Sequence, residues 1–270
     1  MSVTEMQFDG HPFAVVTGGS SGIGREVAKE LARRGYDVLI AAEKGLDEAA
    51  GEISAQGAHV ETCEVDLATP QGVEQLAQRV ENRPVDVLAL NAGIGVGGGD
   101  FTQTSLDDEL RMIDLNVRST VHLAKRVVPS MVARGKGHVL VTSSIAGLMA
   151  TPYETVYGAT KAFDKAFAAA LRYEFKDKGL TVTTMMPGPT DTEFFDRAGM
   201  QETSVGSDDS QKADPADVAK QGVDALFAGE SEVIAGPFKT KMEGTMAKVL
   251  PEGVTASRHG KMAAPGSAEQ

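Results

Sequence analysis

Short apolar segments alternate along the chain with stretches of helical periodicity. Several of these segments lack the polar alternation of a half-exposed strand, which indicates strands of a parallel sheet covered on both faces. Helices are therefore expected on both sides of a seven-stranded parallel sheet, in a doubly wound α/β fold. The predicted strands span residues 13–17, 36–42, 59–65, 85–91, 138–143, 180–186 and 232–236.

The first predicted helix, over 22–34, carries one apolar face. Ile23, Val27 and Leu31 recur every four residues, so their side chains project from the same side of the helix. We expect this face to lie on the sheet.

Two later segments lack a clear period. Residues 192–213 mix Gly, Ser and acids around two phenylalanines and follow the carboxyl end of a strand, which favours a mobile lid over a disordered surface loop. Residues 251–270 are rich in Gly, Ala, Pro and Ser and are expected to form a flexible tail. We therefore predict a single domain over 1–250 that includes the lid.

The amino-acid composition limits the classes of binding partner that are expected. The 270 residues contain 26 Lys and Arg against 38 Asp and Glu, a formal charge of −12, which argues against nucleic acid or an anionic membrane and favours a small organic substrate. Cys63 is the only cysteine, the start of the chain lacks a signal-peptide pattern, and no apolar run is long enough to cross a membrane. The five histidines are scattered, so we expect a cytoplasmic protein without a metal site.

A glycine loop, TGGSSGIG at 17–24, follows the first strand and opens the first helix. Gly18 allows a sharp turn, while Gly22 and Gly24 allow the backbone to approach a pyrophosphate at the helix N-terminus. The alternative is an ordinary strand-to-helix turn, because glycine is common wherever a positive φ is needed. The flanking strand and helix favour a dinucleotide site.

An acid near the end of the second strand bears on the choice of cofactor. Glu43 lies where a carboxylate can bind the adenosine ribose hydroxyls and repel the extra phosphate of NADP. NAD or NADP is therefore expected, with NAD favoured. Arg25 and Lys44 lie close in sequence and count against this preference, and Glu43 as a solvated strand-end acid is the alternative.

The sequence YGATK, residues 157–161, places a tyrosine and a lysine four residues apart on a helix predicted over 153–178. An ammonium about 4 Å from the phenol would favour the phenolate by roughly 4 kcal/mol at an effective dielectric near 20. That interaction predicts a lowered pKa for Tyr157 and a general acid/base near neutral pH. Ser144 ends a predicted strand at the ligand-binding edge of the sheet and can donate to a carbonyl oxygen. A surface pair of Tyr157 and Lys161 without a role is the alternative.

These motifs together resemble the short-chain dehydrogenase/reductase family in its single-domain Rossmann branch. The loop at 17–24 matches TGxxxGxG, and Ser144 with Tyr157 and Lys161 matches the family's Ser and Tyr-x-x-x-Lys set. The segments LNAG at 90–93, VDL at 65–67 and PGPTDT at 187–192 resemble further family elements. The resemblance covers about residues 11–236.

The resemblance implies an NAD(P)-dependent oxidoreductase that interconverts a ketone or aldehyde and an alcohol by hydride transfer. In the family pattern, the tyrosine exchanges the proton, the serine polarises the carbonyl, the lysine binds the nicotinamide ribose, and an asparagine in a bent helix leads a water to the lysine. The catalytic residues implied here are Asn116, Ser144, Tyr157 and Lys161. The implied cofactor contacts are Gly18, Ser20, Ser21, Gly22, Ile23, Glu43, Asp66, Leu67, Asn91, Ala92, Gly93, Tyr157, Lys161, Pro187, Gly188, Thr190 and Thr192.

The chain departs from the family pattern at three places. Ser21 stands where NADP-dependent members carry a basic residue, and Ala42, one residue before Glu43, stands where NAD-dependent members carry an acid. The segment PFKTKMEGTMAKVLPE replaces a short glycine-rich ending, which predicts an extra C-terminal helix. Either a homodimer or the homotetramer common in the family is expected.

The substrate is expected to be apolar and of medium size, because the side chains predicted to line its pocket are Ile94, Val96, Ile145, Met149, Tyr153, Phe194 and Phe195. Ordinary core packing is the alternative for each of them. Two other functions stay open from sequence. One is a regulatory protein that binds NAD(P) without turnover. The other is sugar epimerisation or dehydration, although its relatives have a TGxxGxxG loop and a longer chain.

Overall fold

A computed structural model of the protein describes residues 10–269. Its centre is a seven-stranded parallel sheet with the strand order β3-β2-β1-β4-β5-β6-β7. The predicted α/β doubly wound fold is confirmed. The strands are β1 Phe13–Thr17, β2 Asp37–Ala42, β3 Val60–Glu64, β4 Val87–Leu90, β5 Gly137–Thr142, β6 Leu180–Pro187 and β7 Glu232–Ala235.

The sheet is covered on both faces by two apolar clusters. In β1, Val15 packs into one cluster, while Ala14 and Val16 pack into the other, because successive strand side chains point to opposite faces. All five β1 residues are buried. Strands buried on both sides need apolar residues at consecutive positions, which explains the unbroken apolar segments of the sequence.

Eleven α-helices lie along the described residues. They are α1 Gly22–Arg33, α2 Leu46–Ser54, α3 Pro70–Val80, α4 Leu106–Ile113, α5 Ser119–Arg134, α6 Thr155–Phe175, α7 Phe194–Arg197, α8 Ser204–Ser207, α9 Pro215–Ala228, α10 Phe238–Ala247 and α11 Glu252–Ala263. A π-helical turn, Asp114–Arg118, joins α4 to α5. In α1, Val27 and Leu31 are fully buried and Ile23 packs against the same cluster, so the predicted apolar face does lie on the sheet.

The strand order reverses at β1, which pairs with β2 on one side and β4 on the other. Ligands of open α/β sheets bind outside the carboxyl ends of the strands at such a point. Thr17, the last residue of β1, fixes this edge. Its hydroxyl donates to the carbonyl of Ala89 at 3.2 Å and accepts from the amides of Asn91 and Ala92 at 2.9 and 3.0 Å.

The C-terminal region differs from the sequence prediction. The extra helix expected after β7 is present as α10, and Glu252–Ala263, within the segment predicted to be a flexible tail, form α11. The flexibility of this segment stays a prediction. Ala263 is fully buried against Phe195, Ala198 and Met200 of the predicted lid. Small side chains allow this close packing. The high content of small residues is also what led to the prediction of a flexible tail. Helical structure therefore continues beyond residue 250.

The predicted lid, 192–213, contains the short helices α7 and α8. Its mobility stays a prediction. Between residues 10 and 269, no helix combines the length and the apolar character that a membrane span requires. Within the same residues, no group of three or more His, Cys, Asp or Glu side chains is arranged to hold a metal ion.

Candidate active site

The glycine loop between β1 and α1 is shaped so that larger residues do not fit. Gly18 and Gly22 have φ values of +66° and +53°, which favour glycine. A Cβ on Gly24 would lie 2.1 Å from the carbonyl oxygen of Gly18, and one on Gly18 would lie 2.9 Å from the Ala92 Cα. The loop is therefore packed directly against the segment that follows β4.

The N-terminus of α1 is suited to a phosphate. Ser21 is its N-cap but makes no side-chain capping hydrogen bond, and the first turn contains no acid. The free amides and the positive end of the helix dipole can therefore bind an anion. Ser20, on the other side of the loop, lies beside the turn that precedes α2. The side chain of Ile23 is partly buried against the core, so it helps to hold α1 on the sheet.

The opposite end of this crevice carries two acids joined by one arginine. Arg111 of α4 lies 3.2 Å from Glu43, after β2, and 3.0 Å from Asp66, after β3. Burial acts against ionisation of Asp66, yet the hydrogen bonds from Arg111 and from the Ala68 amide lower its pKa. Leu67 is buried in the core, so only its backbone is available to a ligand.

The segment after β4 connects the glycine loop to the predicted catalytic residues. The Asn91 side-chain amide donates to the Thr17 carbonyl at 3.3 Å. A Cβ on Gly93 would lie 3.2 Å from Asn116 Oδ1 and 3.3 Å from Lys161 Nζ. Gly93 thus allows the backbone to approach both side chains closely.

Asn116 lies in the π-helical turn and is completely buried. Its side chain accepts from the Ile94 amide at 3.0 Å and donates to the Ile94 carbonyl and to Thr160 Oγ1 at 2.9 and 3.0 Å. A π-helical turn lies where the family pattern has a bent helix. These bonds connect the helix bend to the loop after β4 and to α6.

Tyr157 lies in the first turn of α6 and is 8% exposed. The side chain of Ser144, the residue that follows β5 by two positions, acts on its phenol and counteracts the raised pKa of Tyr157. Ser144 Oγ also accepts from the Ala146 amide at 3.1 Å and lies 3.4 Å from the Pro187 carbonyl. The neighbouring Ser143 is different, because its hydroxyl donates to the Lys161 carbonyl at 2.6 Å inside the core. The structure therefore brings Ser144, and not Ser143, to the phenol.

The expected lowering of the Tyr157 pKa is wrong for this structure. Burial is the largest cause and raises the pKa of Tyr157, the Glu154 carboxylate raises it further, and the Ser144 side chain opposes both. Asp164 adds a smaller upward contribution. The sequence argument considered the ammonium of Lys161 without the desolvation and the two acids that surround the phenol.

Lys161 is buried and ion-paired. Its Nζ donates to the Thr142 carbonyl at 2.9 Å and to Asp164 Oδ2 at 3.0 Å. The two side chains are only 6% and 3% exposed. Asp164 lies one helical turn after Lys161 and was missed from the sequence, where it reads as an ordinary helix acid.

The segment after β6 returns to the glycine loop. The Thr190 hydroxyl donates to the Gly188 carbonyl at 2.9 Å, and the Thr192 methyl group lies where a Cβ on Gly22 would contact it at 3.0 Å. Pro187 is the last residue of β6 and carries the carbonyl beside Ser144. The predicted residues at 187–192 thus lie across the crevice between the loop and the serine.

The predicted pocket residues lie in three places. Ile94, Val96 and Phe194 pack around Tyr157, with ring centroids of Tyr157 and Phe194 5.2 Å apart. Tyr153 and Phe195 belong instead to the cluster formed by the lid and α11. Two other predicted members lie on the turn after Ser144, where Ile145 faces α10 and Met149 is half-buried.

Comparison with known proteins agrees with this geometry. A family model described as short chain dehydrogenase matches residues 12–203. This chain belongs to the short-chain dehydrogenase/reductase family. The relatives that match it are named dehydrogenases and reductases, which act on CH–OH or C=O groups.

Individual relatives differ in how much of their length is shared. An uncharacterised short-chain type dehydrogenase/reductase of Sinorhizobium fredii is 35% identical over 74% of this chain and 75% of its own. A glycine betaine reductase of Emericella nidulans is 38% identical over 79% of this chain, which spans 17% of that protein. A short-chain dehydrogenase from Sphingobium yanoikuyae, solved in complex with NADPH, has a TM-score of 0.77 and 29% identity over 83% of this chain and 87% of its own. NAD(P) therefore fits the glycine loop of this family member.

Two site residues of this short-chain dehydrogenase lie outside the motifs that identified it. Arg111 is 68 residues from Glu43 and 45 from Asp66, so sequence spacing gave no signal for their contact. Asp164 had a weak signal, because a lysine and an acid three residues apart face each other on a helix.

The C-terminal helix of this family member reaches the turn before α6. His259 of α11 lies 2.9 Å from Glu154, and their side chains are 11% and 6% exposed. Gly260 lies against Pro152 and Tyr153, and Tyr153 has a φ of +68°, which is unusual for a residue with a side chain. α11 therefore supports the backbone that leads into Tyr157.

We expect the substitution His259→Ala to destabilise the protein by about 1–3 kcal/mol, because it leaves the buried Glu154 carboxylate without the imidazole that faces it. Thermal unfolding measures this effect. The control is His122→Ala, whose partner Glu74 is more exposed and keeps a hydrogen bond from Arg126 at 2.8 Å. It should change the melting temperature much less. Equal shifts for the two variants would contradict the supporting role of α11.

Proposed function

We propose that the protein is an NAD(P)-dependent oxidoreductase that interconverts a ketone or aldehyde and the corresponding alcohol. The observation that carries the proposal is the buried Tyr157 phenol, on which the Ser144 side chain acts, in a fold whose glycine loop opens α1 at the same edge of the sheet. The buried Lys161 lies on α6 four residues after Tyr157, and the buried Asn116 donates to Thr160 of the same helix. A module that only binds nucleotide would not require this proton-transfer group.

Tyr157 is assigned the role of the group that exchanges a proton with the substrate oxygen. Because burial and nearby carboxylates raise its pKa, the phenol carries its proton at neutral pH and can donate it to a substrate oxygen during reduction. The Ser144 hydroxyl is placed to bind the same oxygen, which orients the carbonyl and stabilises the charge that develops on it. The reverse reaction requires the phenolate and should therefore be faster at high pH.

The remaining residues hold the cofactor and the proton path. The loop residues Gly18 to Ile23 would bind the pyrophosphate, Glu43 and Asp66 the adenosine, and Lys161 the nicotinamide ribose. When bound, the nicotinamide supplies or accepts the hydride. Asn116 connects the helix bend to the loop after β4, and we assign it the positioning of a proton path toward Lys161.

The surroundings of Tyr157 support an apolar substrate of medium size, since Ile94, Val96 and Phe194 pack beside the phenol. We also propose a cytoplasmic homodimer or homotetramer. Leu106 and Leu110 of α4 are exposed, and exposed apolar residues on one helix are typical of a subunit interface. Sedimentation of the purified protein tests the oligomeric state.

The test of the proposed function is a kinetic screen with NADH and NADPH over apolar ketones and aldehydes, and with the oxidised cofactors over the alcohols. Change in nicotinamide absorbance reports turnover. Turnover of at least one apolar substrate is expected. Tight cofactor binding without turnover of any substrate would instead support a regulatory NAD(P)-binding protein.

NAD is the proposed preference over NADP. Glu43 and Asp66 contribute two negative charges beside Arg111, so one uncompensated negative charge faces the adenosine ribose. We expect Glu43→Gln to reduce the ratio of kcat/KM for NADH over NADPH by roughly three- to tenfold at low salt, because a repelling carboxylate is removed. The control is Glu48→Gln, an exposed acid in the first turn of α2. A wild-type protein that uses NADPH as well as NADH would contradict the preference.

A further inference from the structure

Arg197, the last residue of α7, belongs to the predicted lid, and its side chain contacts the glycine loop. Its Nη1 lies 3.5 Å from the hydroxyl oxygen of Ser21, a residue 176 positions away in sequence. The lid meets the loop a second time at Thr192, whose methyl group lies 3.0 Å from the position that a Cβ on Gly22 would take. The lid therefore lies directly against the loop that is expected to hold the cofactor phosphates.

The Arg197 guanidinium has donors beyond the two contacts that hold it. Its Nη2 donates to the Glu193 carboxylate, one helical turn earlier, and its Nη1 donates to Ser21. A guanidinium has five N–H donors in a planar fork, so three remain after these two contacts. The side chain is 52% exposed, which leaves those donors accessible to a ligand. Glu193 thus orients the guanidinium and leaves most of its donors for another partner.

The arginine of α1 that lies nearest to its N-terminus is directed elsewhere. The first amides of this helix have no partner inside the helix, and the Ser21 side chain does not cap them. Arg25 follows in the next turn, but its Nη1 lies 3.1 Å from Glu52 of α2. Arg197 of the lid, and not Arg25 of the helix itself, is therefore the arginine placed beside the N-cap.

We propose that Arg197 is a cofactor-binding residue whose guanidinium binds the pyrophosphate held at the N-terminus of α1. This inference deepens the proposed function and rests on it, because both require a nicotinamide dinucleotide in the crevice. Arginine suits this role, since its planar fork can make two parallel charge-assisted hydrogen bonds to phosphate oxygens. Because Arg197 belongs to the lid, the same contact ties the lid to the bound cofactor.

The test measures cofactor affinity by calorimetry, which requires no turnover. Arg197→Gln should weaken the binding of NADH by about three- to tenfold at about 0.1 M salt, because it removes a positive charge that contacts the pyrophosphate. ADP-ribose contains the pyrophosphate without the nicotinamide, so its affinity should fall by the same factor. The factor should become smaller at about 1 M salt, where the Debye length is only about 3 Å.

The matched control is Arg33→Gln, at the last residue of the same helix. Arg33 is 45% exposed and paired with Glu30 at 3.1 Å, so this substitution also removes one positive charge and one ion pair. It lies about 16 Å along the helix from Gly22, beyond the Debye length of about 10 Å at 0.1 M salt. NADH affinity should therefore change by less than about twofold. Both variants should unfold near the wild-type temperature, because exposed ion pairs contribute little to stability.

A purely structural role for Arg197 predicts a different result. If Arg197 only held the lid on Ser21, Arg197→Gln would raise KM for the carbonyl substrate and leave ADP-ribose affinity unchanged. That outcome would overturn the proposal. A loss of affinity for NADPH without a loss for ADP-ribose would also overturn it, because Arg197 would then bind the additional phosphate of NADP. Equal losses in Arg197→Gln and Arg33→Gln would show a general effect of net charge and would contradict the contact.

Failure of this inference can be told apart from failure of the proposed function. Unchanged affinities in Arg197→Gln, in a protein that turns over carbonyl substrates, overturn the role of Arg197 alone. Weakened ADP-ribose binding in Arg197→Gln, in a protein that reduces no carbonyl substrate, supports the role of Arg197 and contradicts the proposed function. A wild type that binds none of NADH, NADPH and ADP-ribose would contradict both.

Discussion

Tyr157→Phe should bind the nicotinamide cofactor with nearly unchanged affinity and lose turnover by about 10²–10⁴-fold, the usual contribution of a general acid/base. The ring packs against Phe194 at a centroid distance of 5.2 Å, and phenylalanine can keep that contact. What is lost is the phenol hydroxyl that donates the proton and its interaction with Ser144. Cofactor binding is measured by calorimetry and turnover by nicotinamide absorbance.

The matched control is Tyr173→Phe, because Tyr173 lies on the same helix but is 76% exposed. It should retain wild-type kinetics. Both variants should unfold near the wild-type temperature, since one hydrogen bond contributes only about 1 kcal/mol. If Tyr157→Phe kept more than about a tenth of the wild-type kcat, the phenol could not be the general acid.

Gly24→Ala should weaken cofactor binding about tenfold or more and lower the melting temperature, because overpacking a rigid site costs about 1–3 kcal/mol. The added Cβ would lie 2.1 Å from the Gly18 carbonyl oxygen and 2.4 Å from the Asn91 amide nitrogen. The Gly18 carbonyl belongs to the glycine loop and Asn91 to the segment after β4 that packs against it, so relief of the clash must displace the loop from that segment. Calorimetry with NADH and thermal unfolding measure the two effects.

Gly51→Ala is the control for this substitution. Gly51 is an exposed residue of α2, and a Cβ there would meet no atom within 4 Å. Alanine should raise stability by up to about 1 kcal/mol, because it favours helix. Cofactor affinity should be unchanged. Equal losses of cofactor affinity in the two variants would show that the effect does not arise from the loop.

Local sequence patterns were sufficient for the sheet and for the two main motifs. The seven predicted strands match the observed ones to within two residues at each end, since the apolar run of a doubly covered strand is a short-range feature. The glycine loop was predicted for the same reason, because positive φ and close approach demand glycine at fixed spacings.

The C-terminal helix shows where local patterns fail. The sequence of 251–270 resembles a flexible tail, yet α11 forms there because Ala263 docks on the lid and His259 on Glu154. Helices of low intrinsic preference are stabilised mainly by tertiary packing, which composition does not reveal. The same limit applies to Arg111, which contacts two acids that are distant in sequence.

The sequence by itself determined which residues could perform the chemistry: a phenol, a hydroxyl and an ammonium at the carboxyl edge of a parallel sheet, beside a glycine loop. Only the tertiary structure decided their electrostatic state. It placed Asp164 on Lys161 and Glu154 near Tyr157, and it excluded water from all of them. The reason is physical, because a pKa depends on desolvation and on the distances to every nearby charge, and burial sets both.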